Sequence, residues 1–89
     1  MKLQTKNRAI RRLKIMGGQL KGLERMIAEE KYCIDIITQT LALKEALSSL
    51  EDLILENHLS THVVEQMKGR EEKKAINEIL RIYKLSKRK

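Results

Sequence analysis

The sequence predicts an all-α protein, a three-helix protomer of the helical-bundle kind. Three observations carry that expectation. Leu, Ile, Lys, Glu and Ala dominate an 89-residue chain with no proline and only two aromatic residues, Tyr32 and Tyr83, a composition suited to long helices. Apolar residues recur at steps of three and four, the spacing of one helix face. No alternating strand pattern, internal repeat or low-complexity linker breaks that rhythm.

Helix 1 rests on Leu13, Met16, Leu20, Leu23 and Ile27. Gly17, Gly18 and Gly22 interrupt it, each at a cost of about 1 kcal/mol against alanine. A close approach of another backbone is the expected reason. These glycines do not make a phosphate loop, because no strand precedes them and no Lys-Ser/Thr ending follows. The polar run Glu29-Glu30-Lys31, then Tyr32 and Cys33, marks the turn. Asp35 then falls in the first turn of helix 2, where a carboxylate suits the helix dipole. Ile34, Ile37 and Leu41 continue the period, followed by Leu43, Leu47, Leu50, Ile54 and Leu55. Helix 2 is expected to run from Tyr32 to about Met67, with Gly69 as its stop. Helix 3 carries Ala75, Ile76, Ile79, Leu80 and Tyr83 on one side.

At this length the chain is read as one domain, residues 1–89. A monomer of this size buries roughly 60 to 65% of the surface its unfolded chain exposes, which is marginal. Helix 2 would be on the order of 50 Å long. One shorter helix cannot cover its apolar face, so an antiparallel four-helix bundle with a second copy is the natural completion.

Composition also narrows the function. The lone cysteine, Cys33, excludes an intrachain disulfide and fits a reducing cytoplasm. Met1 to Lys14 is charged throughout, unlike a secretory signal. No apolar run approaches the roughly 18 residues that cross a membrane. An enzyme is disfavoured, since no base is paired with an orienting group and the chain is too small for a substrate pocket. No small-molecule substrate is expected.

The net charge of +7 is unevenly placed. Met1 to Arg25 holds eight bases and one acid, and Arg81 to Lys89 holds five bases and no acid. Between them lie six bases and eleven acids. Lys87, Arg88 and Lys89 read as a solvated tail. Arg8, Arg11, Arg12 and Lys14 crowd two helical turns, and clustered bases bind polyphosphate through counterion release. Nucleic acid is the expected partner. An anionic membrane fits less well, because the segment has no broad face of Trp, Phe and Leu.

Cys33, His58 and His62 are the chemical core of the sequence. A thiolate and two imidazoles suit a soft or borderline metal such as Cu(I) or Zn(II). Singly, each has an ordinary reading: a packed thiol, or solvated imidazoles. His58 and His62 share a helix face. Cys33 lies twenty-five residues earlier, roughly 37 Å along a continuous helix. Two antiparallel copies of helix 2 crossing near Ala46 would set residue 33 of one against residue 60 of the other. Ala42, Ala46, Ser48 and Ser49 are small enough for that crossing. The expectation is two equivalent sites per dimer, each with Cys33 from one chain and His58 and His62 from its partner.

The run Arg12-Leu13-Lys14-Ile15-Met16-Gly17-Gly18-Gln19-Leu20-Lys21-Gly22-Leu23-Glu24-Arg25-Met26-Ile27 resembles the opening of the CsoR/RcnR family of metal-sensing repressors. Tyr32-Cys33-Ile34-Asp35, Gln39, Glu56-Asn57-His58-Leu59 and His62 extend the resemblance over nearly the whole chain. It implies a three-helix protomer, an antiparallel four-helix dimer and a dimer of dimers, a homotetramer without a helix-turn-helix. It also implies a cytoplasmic repressor that holds operator DNA when metal-free. Metal then releases it, freeing efflux or metal-handling genes. By position, Cys33, His58 and His62 are implied as ligands, Tyr32 and Glu78 as supports of the ligating histidine, and Arg12 and Lys14 as DNA contacts. Arg8 and Arg11 come from charge alone. A further basic family position on helix 2 is Ser49 here.

His62 departs from the usual copper-sensor cysteine and resembles the nickel/cobalt branch, although some copper sensors carry histidine there. Nickel and cobalt sensors add an N-terminal nitrogen ligand, often histidine, and residues 1–12 contain none. A persulfide sensor needs two cysteines. A formaldehyde sensor would use Cys33 as its reactive group and usually lacks histidine at 62. The leading expectation is a Cu(I)-responsive repressor, with Ni(II), Co(II) or Zn(II) as alternatives. A metal-binding or storage module with non-specific DNA affinity is the rival from another class.

Overall fold

A computed structural model describes residues 1–63, 65, 68, 69 and 71–87. Three α-helices follow in order: α1 (Leu3–Ala28), α2 (Cys33–His58) and α3 (Glu72–Ser86), with a π-helical turn at Leu59–Val63. Among the described residues there is no strand. The chain divides into two compact units, Met1–Glu56 and Asn57–Lys89.

In the first unit, α1 starts without help from its own side chains. Lys2 precedes it in extended conformation and makes no side-chain cap, and the first turn holds no acid. The bases of this segment oppose the positive end of the helix dipole, so they do not serve the helix itself.

The turn out of α1 is a Schellman motif. The Lys31 amide donates to the Met26 carbonyl at 2.9 Å and the Glu30 amide to Ile27 at 3.1 Å. Glu30 adopts φ 52, the left-handed conformation that usually calls for glycine at this position. The Tyr32 carbonyl then opens α2, accepting from the Asp35 and Ile36 amides at 3.0 and 3.2 Å. Asp35 lies in the first turn, as the sequence predicts.

α1 and α2 form a hairpin in which Arg12 and Ser49, equally far from the connection, meet. Ala9, Met16 and Leu53 are the buried apolar residues of this unit among those described. Arg12, Leu23 and Met26 of α1 are half-covered, as are Ile36, Leu43, Ala46 and Leu50 of α2. Burying Met16, which is 4% exposed, contributes about 2 kcal/mol.

The apolar stripe expected on α1 divides. Met16 and Leu23 turn inward, while Leu13, Leu20 and Ile27 remain exposed. One neighbouring helix covers only a narrow strip of an α-helix. Among the described residues, the close backbone approach expected at Gly17, Gly18 and Gly22 is not made: a Cβ added at any of them meets nothing within 4 Å.

The second unit holds the end of α2, the π turn and α3. Asn57 and Ala75 are its buried residues among those described. The sequence expectation of one helix to about Met67 with Gly69 as its stop is corrected in its uniformity. The regular α-helix ends at His58 and a π turn replaces its next turn; Glu65 and Lys68 are α-helical again and Gly69 lies in a turn, while Met67 itself lies outside the described residues, as do Arg88 and Lys89. The Gly69 amide donates to Glu65 at 2.8 Å. In α3, Glu72 in the first turn and Lys84 in the last match the dipole. Ala75 and Ile79 are covered, but Ile76, Leu80 and Tyr83, expected on the same side, are exposed. They lie on a flank roughly 100° round the helix.

Glu30→Gly should stabilise the protein by about 0.5–1 kcal/mol, because glycine adopts the left-handed conformation without a Cβ clash. Thermal unfolding followed by circular dichroism would show a rise of a few degrees. A fall would mean that the Glu30 side chain contributes more than its strain costs.

Candidate functional site

His58, His62 and Glu78 come together in the second unit. His58 closes α2, His62 lies in the π turn, and Glu78 is on α3. His58 Nε2 is 3.4 Å from Glu78 Oε2, with the two side chains 26% and 30% exposed. The carboxylate thus faces the Nε2 edge of the ring and leaves the Nδ1 edge turned away from it. The two imidazole rings lie 5.3 Å apart, centre to centre, tilted by 46°. Glu65, Gly69 and Glu71 join these three residues around an open groove of about 380 Å³.

The π turn has a local cause. Ser60 Oγ donates to the Asn57 carbonyl at 3.1 Å, and Thr61 Oγ1 donates to the same oxygen at 2.7 Å. Hydroxyls bonded to a carbonyl three or four residues back compete with the helical amide for it; single bonds of this kind from Thr38 and Thr40 leave α2 regular, whereas here two converge on one carbonyl where the π turn begins. His62 therefore sits on a widened turn rather than on the uniform α-helix that the sequence suggested, yet its ring still adjoins that of His58.

Cys33 is the first residue of α2, at the opposite end of that helix from His58. It is exposed and unbridged. Tyr32, also exposed, stands next to it. Among the described residues, no group of three His, Cys, Asp or Glu side chains is placed to hold a metal ion. The chain by itself thus pairs His58 with His62 and with Glu78, and keeps Tyr32 beside Cys33 in the other unit.

The bases of α1 fall into two kinds. Arg8, Arg11 and Lys14 are exposed, and Arg11 neighbours both others at three-residue spacing. Arg12 is partly covered. Its Nη1 donates to the Ser49 carbonyl at 3.1 Å and to Ser49 Oγ at 3.0 Å. No helix among the described residues is long and apolar enough to cross a membrane.

The model of the metal-sensitive transcriptional repressor family matches residues 5–84. This chain belongs to that family. Among its relatives is the copper-sensing transcriptional repressor CsoR of Bacillus subtilis (strain 168), 32% identical over 79 residues, or 89% of this chain and 78% of that protein. The copper-sensing transcriptional repressor RicR of Mycobacterium tuberculosis (strain ATCC 25618 / H37Rv) is 46% identical over 57 residues, 64% of this chain and 59% of RicR. The crystal structure of the copper-sensing repressor CsoR with Cu(I) from Geobacillus thermodenitrificans NG80-2 aligns with a TM-score of 0.92. Its sequence is 25% identical, over 99% of this chain and 92% of that one. The three-helix, all-α reading of the sequence is therefore correct for the protomer.

Two features of this metal-sensitive repressor escaped sequence reasoning. One is the buried Asn57, whose carbonyl gathers two hydroxyls. The Asn57-x-x-Ser60-Thr61 spacing was the available signal. The other is Ser49, which the sequence offered only as a missing base. Replacing both hydroxyls, Ser60→Ala with Thr61→Val, should return 59–63 to α-helical hydrogen bonding and move the His62 ring relative to His58. Backbone chemical shifts and the nuclear Overhauser contacts between the two rings would report it. A π turn unchanged in the double variant would show that the hydroxyls do not cause it.

Proposed function

We propose that this chain is a Cu(I)-responsive transcriptional repressor, and not an enzyme. It binds operator DNA when metal-free and leaves it on binding Cu(I), which derepresses genes for metal efflux or handling. It works in the cytoplasm, as one repressor unit over residues 1–89. The observation that carries this reading is the His58–His62 pair with Glu78 against His58 Nε2, in a member of a metal-sensitive repressor family whose relatives include copper sensors.

In this reading Cys33 of one chain joins His58 and His62 of another. The exposed apolar residues support it: Ile34, Ile37 and Leu41 just after Cys33, and Leu13, Leu20 and Ile27 on α1. An antiparallel four-helix dimer would cover such faces, gaining about 1 kcal/mol for each half-exposed side chain, and two dimers would make the homotetramer. One thiolate and two imidazoles form a donor set suited to Cu(I). Glu78 fixes the His58 tautomer and links the ligand to α3, and Tyr32 supports the site from beside Cys33. Arg8, Arg11, Arg12 and Lys14 form the DNA-binding face. Metal and DNA weaken each other by the same factor, as linkage requires.

The carboxylates of Glu65, Glu71 and Glu78 around the histidine groove favour a second reading. Zn(II), Ni(II) or Co(II) accepts oxygen together with nitrogen more readily than Cu(I) does.

Cys33→Ala should leave operator binding intact and abolish release by Cu(I). The measurement is anisotropy of a labelled duplex that the protein selects from a random library, titrated anaerobically with Cu(I), Zn(II), Ni(II) and Co(II). Release of the Cys33→Ala protein by Cu(I) would remove the thiolate from the mechanism. Refolding Cys33→Ala chains together with His58→Ala chains tests the shared site. Mixed dimers should regain one Cu(I) site where each parent has none. No recovery in isolated mixed dimers would place the donors within one chain.

A further inference from the structure

Arg12 is held differently from the other bases of α1. Both its bonds run from Nη1 to one residue, the carbonyl and the hydroxyl of Ser49, 37 positions away on α2. Among the described residues it has no carboxylate within ion-pair distance, so its charge is not neutralised inside the chain. Both bonds are made by Nη1. The Nε and Nη2 hydrogens remain, and they form the side edge of the guanidinium that matches two phosphate oxygens at once. A flexible arginine loses side-chain entropy when it grips a phosphate; one already anchored loses less.

We infer that Ser49 is a positioning residue for DNA binding. It clamps the Nη1 end of Arg12 against α2 and so presents the Nε/Nη2 edge to a backbone phosphate. This rests on the proposed DNA-binding role of Arg12. It assigns α2 a part in operator affinity through a neutral hydroxyl rather than a charge.

The test uses full-length protein and the labelled duplex it selects from a random library. Ser49→Ala should weaken binding about three- to tenfold, the effect of one hydrogen bond to a charged group at a partly exposed position. Ser49→Thr, which keeps a hydroxyl, should bind within about twofold of the native chain. Arg12→Ala should flatten the salt dependence of log affinity by about 0.9 for each phosphate it no longer neutralises, and Ser49→Ala should flatten it in the same direction. In the Arg12→Ala background, Ser49→Ala should cost nothing further. An equal loss with and without Arg12, or no loss at all, overturns the assignment. If Arg12→Ala itself leaves affinity and salt slope unchanged, the DNA role of Arg12 falls and the inference falls with it. Denaturation midpoints of the DNA-free single and double variants separate that case from the first. Non-additive midpoints would show the Arg12–Ser49 bond intact while its DNA role is absent.

Discussion

The scarcity of buried apolar surface constrains everything else in this protein. Two helices of 26 residues each lie in a chain whose described residues include four buried apolar side chains, Ala9, Met16, Leu53 and Ala75. An α-helix presents apolar positions over an arc of about 100° or more, and one neighbour covers part of it. What is left over is ordered rather than scattered. Leu13, Leu20 and Ile27 repeat every seven residues along α1, and Ile34, Ile37 and Leu41 step by three and four along α2. Conformational entropy opposes folding at roughly 1–2 kcal/mol per residue, so surfaces of this kind favour association. On the proposed function, the same association completes the metal site, and metal occupancy and quaternary packing then become one equilibrium.

The histidine cluster joins two differently held imidazoles in one small helical unit. His58 is held from α3 by Glu78, while His62 is carried on a turn widened by hydroxyls competing for the Asn57 carbonyl. A π turn is less favourable than an α turn and persists where local bonds support it. The His58–Glu78 contact instead spans two helices. On the proposed function, His58 is therefore the histidine whose loading is felt directly on α3.

Helix identity and most boundaries were legible in the sequence because they depend on local chemistry. The charged run at 29–31 did end α1, and Asp35 did fall in the first turn of α2. The left-handed residue in the turn was not legible, since glutamate stands where glycine would have signalled it. The π interruption of helix 2 was not legible, because apolar spacing continues past His58 and periodicity does not register two hydroxyls converging on one carbonyl. The glycines of α1 misled differently: their cost is intrinsic, but the backbone expected to approach them is absent among the described residues. For the candidate site, residue types and spacing pointed to Cys33, His58 and His62. The Glu78 contact depends on how α3 packs, which no local rule supplies.

Ser49 illustrates why a missing charge is a poor guide to a missing role. Read as a sequence position, it replaces a base and so subtracts from DNA affinity. In the hairpin it faces Arg12, and its hydroxyl and carbonyl are both acceptors. A second base at that position would keep the backbone carbonyl but lose the hydroxyl acceptor, and its charge would repel the guanidinium across the helix pair. Serine leaves fewer charges for long-range attraction, which salt screens over about 10 Å, but it orders the charge that remains. On the proposed function, the exposed Arg8, Arg11 and Lys14 supply diffuse attraction and Arg12 supplies a directed grip. That division fits a repressor that must hold DNA firmly yet release it. Diffuse charge sets encounter, whereas a grip that depends on α1–α2 register loosens when the register shifts.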